Sequence, residues 1–108
     1  MPTRMIPVDT SMATILMASE ARPQIRNRET GEVAVDRDTG AALMTADLLF
    51  NLGGRPELIQ VSVPKPGVPE DLFVGAAIRV TGLVYMTGEK NGRRWEIFRA
   101  SALTDLTE

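Results

Sequence analysis

Between Leu43 and Val63, and again between Ala76 and Leu103, apolar and polar side chains alternate with a period of two, and glycines, prolines and an Asn-Gly pair cut the alternation into short runs. That period belongs to a β-strand with one buried face. Leu58–Val63 is the clearest run, with Ile59, Val61 and Val63 facing one way and Leu58, Gln60 and Ser62 the other. In the run 41–51, Met44, Ala46, Leu48 and Phe50 share a face opposite Thr45 and Asp47. The run 76–86 keeps Ile78, Val80, Val84 and Met86 in phase around Gly82, a residue that marks a bend or bulge inside a strand. The run 93–103 places Trp95, Ile97 and Arg99 on one face and Glu96, Phe98 and Ala100 on the other. Gly88-Glu-Lys-Asn-Gly92 joins these two runs as a predicted hairpin turn, with Asn91-Gly92 as its strongest signal. A further strand is expected over Thr14–Met17, and Pro23 argues against a long helix there.

The segments between the runs are turn-rich. Arg28-Glu29-Thr30-Gly31 is echoed by Arg37-Asp38-Thr39-Gly40, so only a very short strand fits around Val33-Ala34-Val35 and the segment reads as a twisted hairpin or a long excursion. Residues 51–56 form a turn cluster, Pro64, Pro66 and Pro69 break the chain, and 70–75 has room for one helical turn. These patterns predict an all-β protein: a five-stranded OB-fold-like barrel with a protruding hairpin and little or no helix, with an SH3-like barrel as the rival. The expected organisation is a loose N-terminal arm over 1–11, a single β-barrel domain over 12–104 and a short acidic tail over 105–108.

Composition narrows the chemistry. A chain of 108 residues supports one small core, and 44% apolar residues suit a globular fold. It has no cysteine and no histidine, which excludes disulfides, zinc sites built on thiolate or imidazole, thiol nucleophiles and Ser-His or Cys-His devices. A binding protein is therefore expected, not an enzyme, with no cofactor and no small-molecule substrate. The apolar stretch Met12–Ala18 is too short for a membrane span and lacks a basic region before it, so a cytoplasmic protein is expected.

The net charge of −2 carries no signal for nucleic acid, but the basic residues are ten Arg and two Lys, and some are clustered. An OB barrel binds through its strand 2–3 face and the loops between strands 1–2 and 4–5. Those loops fall near 27–40 and 86–93. Arg22 and Arg26 lead into the first, which carries Arg28 and Arg37; the second carries Lys90, Arg93 and Arg94, followed by Trp95. Arg forks match phosphate, and a flat aromatic beside them is a platform for bases. The competing reading makes Trp95 a core or rim anchor and Arg93-Arg94 a solvated tip, and in the first loop Glu29, Glu32, Asp36 and Asp38 nearly cancel the Arg charge. Asp36-Arg-Asp38-Thr-Gly40 starts like a calcium loop but lacks its sixth-position glycine and closing Glu, so it reads as a turn. Gly53-Gly54 and Lys65 do not compose a phosphate loop.

The layout over residues 14–103 resembles the gene V type of single-stranded-DNA-binding protein of filamentous phages. The matching parts are the strand 14–26, the hairpin around Arg28–Gly40, the strands Leu43–Phe50 and Leu58–Val63, the link Pro64–Gly75, and the final hairpin Ile78–Leu103. The ending Gly-Arg-Arg-Trp-Glu-Ile-Phe-Arg-Ala is similar to small proteins of actinobacterial plasmids and integrative elements. The resemblance implies a homodimer that coats single-stranded DNA without sequence preference, in replication or transfer of a mobile element. It implies contacts from Arg22, Arg26, Arg28 and Arg37, then from Arg94 and Trp95; Lys90 and Arg93 are added by the loop reading above. Leu43 stands near the position where that family places a hairpin aromatic. A second expectation from the residues is a small β-barrel adaptor binding another protein, to which six Met residues would lend an adaptable apolar surface.

Overall fold

The computed structural model describes residues 3–106. Its strands are β1 (Arg4–Pro7), β2 (Ala13–Met17), β3 (Arg22–Pro23), β4 (Ile25–Asn27), β5 (Glu32–Val33), β6 (Leu43–Leu52), β7 (Arg55–Pro64), β8 (Ala77–Thr81), β9 (Val84–Lys90), β10 (Arg93–Arg99) and β11 (Ala102–Asp105). The only helical element among the described residues is a 3-10 turn at Lys65–Gly67, and none is long and apolar enough to cross a membrane. The protein is all-β, as the alternation predicts.

The expected count of five strands is corrected to one curled sheet of nine. Its order is β1-β9-β10-β7-β6-β2-β8-β11, with β3 paired beside β6, while β4 and β5 form a separate small hairpin. Two predicted strands are each broken in two, at facing points. Gly82 has φ +67°, and a methyl group there would lie 2.6 Å from Ser101 Oγ, so both strands bend where they press on each other. The break also corrects the phase read from sequence. Leu83 takes the inward place in the core, and the register pairs Tyr85 with Phe98 and Met86 with Ile97, so Val84 and Met86 turn to the opposite face from Ile78 and Val80.

Arg4–Pro7, expected in a loose arm, is an edge strand pairing with Val84–Thr87. Proline is tolerated at such an edge, where a missing N–H costs no ladder bond. Met1 and Pro2 lie outside the described residues. Of the expected tail 105–108, Asp105 pairs with Ile78 in β11 and Leu106 N–H donates to Ala77 O; 107–108 lie outside the described residues.

The β6–β7 hairpin is longer than its predicted strands because its turn is only Gly53-Gly54, both with positive φ. Leu52 and Arg55 flank that turn as a pair, which leaves Pro56 opposite Asn51 at a non-hydrogen-bonded position where its missing N–H is harmless. The predicted Asn91-Gly92 turn is present, with φ of 55° and 75° joining Lys90 to Arg93. No helical turn forms over 70–75; instead Val68 N–H bonds back to Lys65 O just after Pro64.

The predicted apolar faces of β6 and β7 meet in the core. Ala46, Leu48, Val61 and Val63 are fully buried there with Met17, Ile15, Ile78, Val80 and Leu103, and Phe50, Ile59 and Phe98 pack against its border.

Candidate nucleic-acid interface

Strand register puts the other faces of β6, β7, β10 and β9 side by side. Thr45, Asp47 and Leu49 adjoin Ser62, Gln60 and Leu58; Trp95, Ile97 and Arg99 adjoin Gly88, Met86 and Val84; Met5 of β1 follows Met86. β7 and β10 run parallel but pair only at Val61–Phe98 and Ser62–Arg99. Short of that point they leave a groove of about 400 Å³, walled by Gln24, Thr45, Leu58, Gln60, Ser62 and Ile97. Because the strands are parallel, the Gly53-Gly54 and Asn91-Gly92 tips lie at the same end of the sheet.

Trp95 is half-buried and belongs to this face, outside the core cluster. It sits across from Gly88, where a methyl group would lie 2.7 Å from Cζ2 and 2.9 Å from Cε2. The indole therefore rests on the bare backbone of Gly88, a place only glycine leaves open. Trp95 is therefore not a core anchor; a half-buried ring packed on the sheet near the hairpin tip fits both the rim anchor and the surface platform.

The predicted cations divide into bound and free. Arg22 forks onto Asp47, with Nη1–Oδ2 at 3.2 Å and Nη2–Oδ1 at 3.3 Å. That fork is the main cause that holds the Asp47 carboxyl below its ordinary value, with Ser19 and Gln60 adding hydrogen bonds and burial opposing. Arg26 pairs with Glu32 at 3.4 Å across the β4–β5 hairpin. Arg94 points to the other side of β10, where its Nε donates to the buried Thr87 Oγ1 at 3.2 Å. Arg28, Arg37, Lys90 and Arg93 are exposed and make no ion pair among the described residues. The structure thus does not bring the eight predicted residues into one cluster. Lys90, Arg93 and Trp95 sit together at the β9–β10 tip, and Arg28 and Arg37 lie on the two turns of the protruding segment.

That segment folds back over the opposite end of the face. Val35 bridges Ala42, Ala34 N–H donates to Gln24 O, and Arg99 reaches the nearly buried Asp36 at 3.6 Å. Asp36 Oδ1 accepts the Asp38 N–H, which makes the calcium-like sequence a side-chain-capped turn. Leu43 is buried beneath it and offers no surface for a base. Along β10 the two ends of the face are about 20 Å apart, at roughly 3.3 Å per residue.

On the side of β10 that bears Arg94, Tyr85 packs against Phe98 with ring centroids 5.3 Å apart, and its hydroxyl donates to Glu96 Oε2. Glu96 accepts that proton more readily than it would tolerate a phenolate, so the Tyr85 hydroxyl is raised above its ordinary value.

Sequence reasoning missed the groove residues Gln24, Gln60, Ser62, Leu58 and Ile97 as a set. The polar face of Leu58–Val63 was the available signal, but nothing in it marked Gln24 as a neighbour.

No family model, no curated protein and no solved structure matches this chain.

Proposed function

We propose that this protein binds single-stranded DNA along the outward face of β6, β7, β10 and β9, by cation–phosphate contacts with limited stacking and without enzymatic chemistry. The observation that carries the reading is Trp95. The sole tryptophan lies on the outer face against Gly88, with the free Lys90 and Arg93 on the adjoining tip. An aromatic surface flanked by unpaired cations is how single strands are held without base readout. The strand path is compatible with it: β2 pairs with both β6 and β8, and β7 with both β6 and β10, so the nine-stranded sheet curls and keeps this face outward.

Arg28, Arg37, Lys90 and Arg93 are the phosphate contacts in this reading, since Arg22, Arg26 and Arg94 are engaged within the protein. Four phosphates at about −0.7 each give a log–log salt slope of about −3. The test is anisotropy of a labelled oligo-dT titrated at several salt concentrations, beside a duplex of equal length. Single-strand preference with that slope supports the reading, and its absence at low salt overturns it. Lys90→Ala with Arg93→Ala flattens the slope by about 1.4.

An adaptor role has its own observation. Met5, Met86 and Ile97 stand in one register row on the same face, with Met5 and Ile97 exposed. A face that binds no oligonucleotide at low salt leaves that apolar row as the feature in need of a partner.

A further inference from the structure

We infer that the groove between β7 and β10 is a nucleobase pocket, in which the side-chain amides of Gln24 and Gln60 hydrogen-bond the edge of one unstacked base of the bound single strand. The inference rests on the single-strand-binding reading and adds base contact to its charge contacts.

Both amides are oriented by neighbours. The Ser62 hydroxyl donates to Gln24 Oε1 at 2.6 Å, which leaves the Gln24 NH₂ group unspent. Gln60 Nε2 donates to Asp47 Oδ1 at 3.3 Å, which leaves Gln60 Oε1 unspent. Asp47 is itself held by the Arg22 fork and by the Ser19 hydroxyl at 2.9 Å, so Gln60 leans on a fixed carboxylate. The groove wall therefore presents one oriented donor and one oriented acceptor.

That pair selects among the parts of a nucleotide. The pairing edge of every nucleobase carries a donor beside an acceptor, which answers an amide N–H and an amide oxygen together. A phosphate carries only acceptors. It would satisfy Gln24 alone and meet Gln60 Oε1 and the Asp47 carboxylate unfavourably. The phosphate positions lie elsewhere, on Lys90 and Arg93 at one end and Arg28 and Arg37 at the other. Leu58 at 65% exposure and Ile97 at 43% flank the opening and offer apolar surface to the faces of a flat ring. Ile59, Val61 and Phe98 also line the groove, together with Glu96, so a base entering it meets apolar side chains and a second carboxylate that a phosphate would meet unfavourably.

The test compares a labelled oligonucleotide with a deoxyribose-phosphate oligomer of the same length that carries no bases. Wild-type protein and the double variant Gln24→Met, Gln60→Met are titrated with each. The double variant is expected to lose about 5- to 150-fold in affinity for the base-bearing strand, the worth of one bidentate base contact. Its affinity for the abasic oligomer is expected to be unchanged. Gln24→Met alone keeps Gln60 on Asp47 and is expected to show a smaller loss of the same kind, and thermal melts confirm that each variant is folded. Equal losses on both oligomers, or a retained base preference in folded variants, overturn the pocket and leave the charge contacts standing. Wild-type protein that binds neither oligomer overturns the single-strand reading and the pocket with it.

Discussion

Gly88→Ala separates the aromatic part of the proposed interface from its charges. Gly88 lies in β9 with no left-handed φ, so alanine is compatible with its backbone. The new methyl group would lie 2.7 Å from Trp95 Cζ2 and 2.9 Å from Cε2. Ordinary carbon contacts are about 3.5–4.0 Å, so the ring must lift by about 1 Å. Removing a strand glycine recovers about 0.5–1 kcal/mol of chain entropy, and overpacking costs about 1–3 kcal/mol. The net is a loss of about 1 kcal/mol, or a Tm lower by about 4–8 °C for a domain near 100 residues. Trp95 is the only tryptophan, so emission and acrylamide quenching report its seat directly. A red shift and faster quenching are expected. Affinity for oligo-dT falls by less than the about 1–3 kcal/mol that deleting the ring would cost, while the salt slope stays unchanged because no cation is touched. Unchanged emission and stability would refute the seat of the ring on Gly88. Shifted emission with unchanged affinity would remove Trp95 from the interface.

Leu48→Ala empties a fully buried site between the β6 and β7 faces and is expected to cost about 2–5 kcal/mol, read by urea denaturation with an unchanged m-value. Asp47→Asn removes the carboxylate that Arg22 and Gln60 share, a partly exposed pair worth at most about 1 kcal/mol. Because the folded-state value of Asp47 is lowered from 3.8, its contribution is present above that pH and fades as pH falls through the lowered value. The difference between Asp47→Asn and wild type is therefore expected near neutrality and to vanish in acid; a difference that grows in acid would contradict the fork as its cause.

The fold was legible where one rule acted alone. Period-two alternation predicted which faces of β6 and β7 are buried, and Asn91-Gly92 predicted its turn. It failed where two segments press on each other. Gly82 reads as a bend, but the change of phase after it goes with Ser101, which crowds it from the break between β10 and β11. The edge strand Arg4–Pro7 has no alternation to betray it, since both its faces are exposed, and it exists because β9 offers it an unpaired edge.

The interface was harder to read because charge is a local sum in sequence and a pairwise matter in space. The stretch 90–99 looks strongly basic, yet Arg99 belongs to Asp36 of the protruding segment and Arg94 to Thr87, so only the tip stays free. Arg22 looks as available as Arg28 until β3 lies beside β6 and delivers it to Asp47. The same folding back creates what composition cannot show. Gln60 and Ser62 on a polar strand face are indistinguishable from solvated residues. Gln24, brought to Ser62 from 38 residues away, turns that face into one wall with an oriented donor and acceptor. Asp47, which in sequence is only one more residue on a polar strand face, is in the structure neutralised by Arg22 and used to aim Gln60. With Arg22 spent on Asp47 the groove offers phosphate no unpaired cation at that position, and Gln60 Oε1 is left as an acceptor for a base.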